Sequence, residues 1–320
     1  MRGKRERTKT VKYIWSGLLF LAVSGILTLI ARISLSFSEW YSTYIYKGLV
    51  SVIGRLFGKV PFSFVELSLY VVIFLMIGTG IHAAFESRKA GRKAIWQWLA
   101  GLFLGGCIML LVFVINCGIN YHRESFSEKS GLKIQTYSVK DLQATCQWLT
   151  EEVNRLSTQV ERTENGELQL PEEIRQEAVR SMQALGRQYP ALQGYYPNPK
   201  PVLVSEILSY QKLMGIYAPF TIEANYNQDM PSYDFPFTMC HELSHLRGFM
   251  QEEEANFYFI SGMQGVRHDR ISVQWNAVCV GVRHECSIQG RSKSVAGSKR
   301  RSEQSGRTGF AGRRSVLVRI

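Results

Sequence analysis

The sequence predicts a mainly α membrane protein: three transmembrane helices, then a mostly helical extracytoplasmic domain of α+β character, then a disordered or non-native tail. Three observations carry that reading. Long uncharged runs crowd the first third of the 320 residues. Apolar residues then recur at three- and four-residue steps, the period of an amphipathic helix. After about residue 260 the composition turns to Ser, Gly and Arg and the period disappears.

The uncharged runs are Tyr13 to Ala31, Leu67 to Phe85 and Ala94 to Tyr121. At about 1.5 Å per residue, each can cross a hydrocarbon core of about 30 Å. They place spans at about 13–31, 67–85 and 94–118, within a membrane domain of residues 1–121 whose partner is the lipid bilayer. A cleaved signal peptide is the competing reading of the first run. That run is too long and no small-residue cleavage site follows it, so an uncleaved anchor is expected.

Sidedness follows from the basic residues. Arg2, Lys4, Arg5, Arg7, Lys9 and Lys12 precede the first span, and Arg88, Lys89, Arg92 and Lys93 fill the short loop between the second and third. The loop from Arg32 to Glu66 has four basic residues over a longer stretch. This bias predicts a multi-pass plasma-membrane protein with a cytoplasmic N-terminus and an extracytoplasmic C-terminal domain. Between the first two spans, Trp40, Tyr41, Tyr44 and Tyr46 read as an interfacial aromatic belt. They lead into an interfacial helix at about 44–59, with a short helix packed on the spans as the alternative.

Net charge is +12, from 38 Lys and Arg against 26 Asp and Glu, which would ordinarily raise nucleic acid as a partner. The distribution excludes it. The excess lies at the N-terminus, in the 85–93 loop and in 261–320, and leaves 119–260 net acidic. No C-x-x-C pair occurs among the six cysteines, so no disulfide framework is expected. A transporter is disfavoured because Glu66, near an end, is the acidic residue associated with the spans.

The domain at 122–260 begins with a helix whose stripe is Val139, Leu142, Cys146, Leu149, Val153 and Leu156, opened by a Ser138–Asp141 capping box. A turn at Asn165-Gly166 leads to a second helix marked by Ile174, Ala178, Met182 and Leu185, with Pro171 at its first position. Residues 188–201 read as an irregular loop, 202–213 as a further helix, and Thr221 to Asn227 as a half-exposed strand.

The segment from Phe237 contains H-E-x-x-H as His241, Glu242 and His245. Residues four apart on a helix lie one above the other, so both imidazoles can reach one Zn²⁺ at about 2.0–2.1 Å, with Glu242 beside it as proton acceptor. Two imidazoles leave a catalytic zinc one protein ligand short, and Glu252, Glu253 and Glu254 offer it. A straight helix would carry Glu252 about 10 Å past His245. The chain must therefore turn, and Gly248 is where a left-handed residue ends the helix. Glu252 is the favoured ligand because Asn256 lies one turn on as its support, with Glu254 in reserve. A solvated helix with two unrelated histidines is the bland alternative. It fits poorly with the apolar Phe237, Met239, Cys240, Leu243 and Leu246 around the motif. His82 and His122 read as structural.

G-I-Y-A-P-F-T-I-E-A-N-Y-N from Gly215, P-F-T-M-C-H-E-L-S-H-L-R-G-F from Pro236 and E-E-E-A-N-F from Glu252 resemble a family of bacterial membrane proteins carrying domain of unknown function 3810. The resemblance covers residues 1 to about 257. It implies a zincin-like extracytoplasmic domain with a peptidase-like site and Zn²⁺ as cofactor. It leaves the peptide or protein substrate unnamed. E-x-x-A-N is also similar to the E-x-x-A-D of membrane-embedded gluzincin peptidases, which supports Glu252 and Asn256 by analogy. In zincins an edge strand beside the metal helix holds the substrate backbone, which makes Thr221, Glu223 and Asn225 the substrate-binding candidates. Tyr226 and Tyr233 are candidates for stabilising an oxyanion, each equally explained as a packing or strand residue.

From Ser261 the likeness is expected to break. A disordered basic tail is one reading; translation out of frame is preferred, because shifting the codons of Tyr258 to Gln289 by one nucleotide permits an apolar helical sequence. Under that reading His268, Cys279, His284 and Cys286 form no second metal site. The chain then keeps its ligands but loses the helices that should cover them, which bears on whether it is active. The function expected is a membrane-anchored zinc peptidase, and the alternative is a non-catalytic, zinc-stabilised sensor or scaffold.

Overall fold

The computed structural model describes residues 2–130, 168–256 and, between them, 138, 140–141, 143–144, 147–148, 151, 154–155, 158 and 161–166. The apolar stripe from Val139 to Leu156 lies outside the described residues, as do the tail and its out-of-frame reading. The capping box at the head of that stripe is described. Ser138 N–H donates to Asp141 Oδ2 at 2.8 Å and Asp141 N–H to Ser138 Oγ at 3.2 Å.

Three helices are long and apolar enough to cross a membrane, Lys9–Ile33, Phe64–Lys89 and Lys93–Asn116, and they make the chain a membrane protein. They lie within α1 (Arg2–Ile33), α4 (Phe64–Ala90) and α5 (Lys93–Asn116). Gly91, at φ +78°, turns the chain between α4 and α5 inside the basic loop. α5 packs against both other helices. Trp15, Leu19 and Phe74 face outward, the exposure apolar side chains have toward lipid.

Between α1 and α4 lie α2 (Leu35–Trp40), a π-helical turn (Tyr41–Tyr46) and α3 (Lys47–Phe57). Ser34 caps α2 by accepting from Phe37 N–H. The aromatic belt expected here is only half realised. Trp40 and Tyr44 are exposed, whereas Tyr41, Tyr46 and Val50 are buried in the core of the following domain. The Tyr46 hydroxyl, with one proton to donate, sits 3.0 Å from Leu246 O and 2.8 Å from the Tyr217 hydroxyl. One face of the connector is therefore packed into the domain, through Tyr41, Tyr46 and Val50, while Val52 and Leu56 on α3 stay exposed.

The domain contains α6 (Phe126–Ser130), α7 (Ile174–Gln188), α8 (Ser205–Tyr210) and α9 (Phe235–Leu246), with a three-stranded sheet of β1 (Lys200–Pro201), β2 (Gly215–Ala218) and β3 (Glu223–Tyr226). The stripe that predicts α7 is its buried face: Ile174, Ala178, Met182 and Leu185. Pro171 lies in the turn before α7, its carbonyl accepting from Ile174 N–H. Strand order is β1-β3-β2, with β1 parallel and β2 antiparallel to β3. α9 packs on β2, β3 and α7, and its Met239, Leu243 and Leu246 have no exposed surface. Burial of each such side chain is worth about 1.5–3 kcal/mol.

The strand expected at Thr221 to Asn227 exists, but it is neither half-exposed nor an edge. β3 is paired on both sides and all four of its residues are buried. Its polar side chains are consumed internally. Glu223 accepts from the Phe64 and Val65 amides at 3.2 and 2.9 Å, from the Thr221 hydroxyl, and from buried Lys200. Asn225 Nδ2 faces the Ile216 and Glu223 carbonyls. The edges of the sheet are β1 and β2.

Candidate functional site

α9 carries His241, Glu242 and His245 on one face and ends where the sequence asks it to. Gly248 adopts φ +87°. Its N–H bonds to His245 O and that of Phe249 to Ser244 O, which satisfies the last carbonyls in a Schellman arrangement. Glycine is required there for room as well as dihedral, because a Cβ would lie 3.2 Å from both the Asn120 side chain and the Tyr46 ring. The chain folds back through buried Phe249 and Met250 into a helical turn at 252–256.

That reversal brings Glu252 to the histidines. Its two carboxylate oxygens lie 3.2 Å from His241 Nε2 and 3.6 Å from His245 Nε2, and the two Nε2 atoms are 3.0 Å apart. The three side chains form a group that could hold a metal ion. Each imidazole is anchored through its other nitrogen, His241 Nδ1 to Asn256 Oδ1 at 3.0 Å and His245 Nδ1 to Phe249 O at 2.8 Å. With a metal bound, these acceptors would hold the proton on Nδ1 and leave Nε2 free to ligate. Glu254 points elsewhere, accepting from the Phe126 amide at the start of α6.

The electrostatics follow from this crowding. Burial disfavours the His241 cation, but Glu252, Glu242 and Asn256 together outweigh it and raise its pKa. His245 is lowered, by burial first and by His241 second. Glu252 is held below the usual carboxylate range, chiefly by its hydrogen bond from His241. Burial pushes Glu242 up to about 8, against the opposing effects of His241 and of the hydrogen bond from Tyr217 N–H.

The cluster opens into a cleft of about 540 Å³ whose lining includes Phe113, Tyr121, Gly215, Ile216, Tyr217 and Glu242. Asn227 N–H donates to Met214 O at 2.8 Å, so by antiparallel alternation Gly215 and Tyr217 turn their backbone polar groups away from β3. Tyr217 N–H accordingly meets Glu242. Gly215 allows this approach, since a Cβ there would lie 2.6 Å from Glu242 Oε1.

Of the residues singled out in the sequence, His241, Glu242, His245, Glu252 and Asn256 converge. Thr221, Glu223 and Asn225 do not: Glu223 and Asn225 are buried in the central strand and Thr221 just before it, and Glu223 ties the domain to the second span. Tyr226 packs on Phe235 and Tyr233 sits on an exposed turn, while Tyr121 is the tyrosine beside Tyr217 in the cleft lining. Tyr121 and Gly215 carry no local signal, because their roles arise from contacts made across the fold.

A spanning bundle bearing a His–His–Glu cluster at the end of one helix defines a membrane protein with a candidate metal site. The chain belongs to the family described as protein of unknown function (DUF3810), which matches residues 41–302. The match begins after the first span and runs past Phe257, so the likeness extends beyond the expected limits of 1 to about 257 on the C-terminal side and starts later on the N-terminal side. No curated protein and no solved structure matches the chain.

Proposed function

We propose that the chain is a membrane-anchored zinc peptidase acting on the extracytoplasmic side, with His241, His245 and Glu252 as the metal ligands. The observation that carries this is the triangle of donors at 3.0, 3.2 and 3.6 Å. Ligand atoms about 2.0–2.1 Å from one tetrahedral cation are about 3.3 Å apart, the spacing found here. The donor set, two neutral imidazoles and a carboxylate, suits zinc with one position left for substrate or water.

Zinc in such a site supplies Lewis acidity that polarises a carbonyl and acidifies water. The chain's own residues do the rest. Glu242, held by Tyr217 N–H and walled by Gly215, accepts a proton from the attacking water and returns it to the leaving amine. Edge strand β2 offers its backbone to an extended substrate, the role first assigned to residues 221–227. Tyr121, which lines the cleft, is the proposed donor to the developing oxyanion.

The test is zinc content and hydrolysis of a quenched degenerate peptide library by the full chain and its Glu242→Gln variant. A peptidase retains one zinc in both and loses about 10²–10⁴-fold in rate in the variant. Zinc in both with no hydrolysis in either is the signature of a scaffold and overturns the reading.

A further inference from the structure

The cleft is built into the end of a membrane span. Phe113 lies in the last turn of α5, about 4.5 Å along the axis before its end at Asn116, and it lines the same cleft as His241 and Glu242. The strand that borders the cleft is pinned to that end. Asn116 Nδ2 donates to Pro219 O at 2.7 Å and the Tyr217 hydroxyl to Asn116 O at 3.2 Å. The neighbouring span is tied to the same sheet, since Glu223 caps the first amides of α4 and Glu66 accepts from the Leu203 and Val204 amides at 2.6 and 2.9 Å. β2 therefore runs from Gly215, beside Glu242, to Ala218, and the next residue, Pro219, lies beside the end of α5.

Lys212 lines this mouth, and exposed apolar side chains are numerous on the segments that lead into it. Leu203, Ile207, Tyr210, Leu213, Ile216 and Phe220 are all exposed, Tyr210 at 90%. A soluble face seldom shows so many large apolar side chains together, and these continue from the ends of two spans.

From this placement, and resting on the peptidase reading above, we infer that the substrate is a polypeptide held in the same bilayer by an apolar anchor and cut just outside the hydrocarbon. A chain extended along β2 rises about 3.3 Å per residue, so the four steps from Pro219 to Gly215 place the scissile bond within about five residues of the anchor. Tethering also raises the local substrate concentration, which a shallow mouth at the lipid surface needs.

The experiment uses the full chain in vesicles of phosphatidylethanolamine and phosphatidylglycerol. One degenerate peptide library is offered free, bearing a palmitoyl chain, or fused to a Leu/Ala transmembrane helix. The inference expects at least about tenfold faster cutting of one or both anchored forms, with cut sites mapped within about five residues of the anchor; which form is preferred identifies the anchor. Equal rates for free and anchored forms, or cuts spread along the anchored chain, overturn it while leaving a peptidase. No cutting of any form overturns the peptidase reading and this one together. A readout independent of activity is photo-crosslinking from a benzophenone amino acid in place of Ile216 or Phe220, with Glu172 as control. Lipid adducts at the first two positions and none at Glu172 support the membrane-level mouth, and their absence at both overturns it.

Discussion

Glu252 and His241 meet at 3.2 Å although a helix end and a reversed turn separate them in the chain. The adjacent Glu254 is engaged with the Phe126 amide instead. Glu252→Ala is expected to abolish stoichiometric zinc in the purified full chain, whereas Glu254→Ala keeps it. Metal analysis after dialysis checks this, and equal retention by both variants would remove Glu252 from the ligand set.

Asn256 supports the candidate metal site through His241 Nδ1, at 3.0 Å. Loss of such a partner frees the ring to rotate or change tautomer, at a typical cost of about 10–100-fold in metal affinity. Asn256→Ala is expected to fall in that range and Asn256→Asp to stay close to the parent, because a carboxylate still accepts from Nδ1. Competition with a fluorescent zinc chelator measures both.

Gly248 holds φ +87° with Asn120 and Tyr46 at 3.2 Å from its missing Cβ. Gly248→Ala is strained in dihedral and in space, for a cost of about 1–3 kcal/mol. Because this turn aims the 252–256 segment, the variant is expected to lose zinc affinity as well as thermal stability. A stability loss with zinc affinity unchanged would separate the turn from the site.

The candidate metal site was legible because its logic is local. Histidines four apart, a following acid, a glycine at the helix end and an acid with Asn256 behind it are spacing arguments, and each residue stands where spacing puts it. The spans were legible for the same reason, since uncharged length alone defines them. The sheet was not. β3 alternates apolar and polar residues like an edge strand, yet Glu223 is buried because Lys200, Thr221 and the head of α4 satisfy it, and Asn225 is buried with its Nδ2 on the Ile216 and Glu223 carbonyls. Those partners come from 23 and about 160 residues away for Lys200 and Phe64, and no periodicity encodes them. Tyr46 misled similarly: an aromatic near a span reads as a belt residue until Leu246, 200 residues on, appears as its partner.

Gly215 is expected to be the least replaceable residue of β2. A Cβ there meets Glu242 Oε1 and Thr238 Cγ2 at 2.6 Å and Asn225 O at 2.8 Å, so the strand must part from α9 or Glu242 must swing away. Gly215→Ala is predicted to cost about 1–3 kcal/mol and to depress peptide hydrolysis far more than zinc binding. Zinc titration beside library hydrolysis separates the two, and unchanged hydrolysis would show that the close approach to Glu242 is incidental.

Lys200 and Glu223 form an ion pair whose side chains are 3% and 1% exposed, at the junction of the domain and the second span. Removing one partner of a buried pair leaves an uncompensated charge, at about 3–5 kcal/mol. The two removals are not equivalent. Without Lys200, Glu223 still accepts from the Phe64 and Val65 amides and the Thr221 hydroxyl, so Lys200→Met leaves a buried anion that is still hydrogen-bonded. Without the carboxylate, Lys200 retains only the Phe57 carbonyl among the partners described, and the first amides of α4 lose their cap as well. Glu223→Leu is therefore predicted to lower the midpoint of thermal unfolding in detergent more than Lys200→Met. The double variant should not recover the parent midpoint, because the orphaned amides of Phe64 and Val65 remain. Equal shifts for the two single variants would mean that the ion pair, and not the cap on the span, sets the stability of this junction.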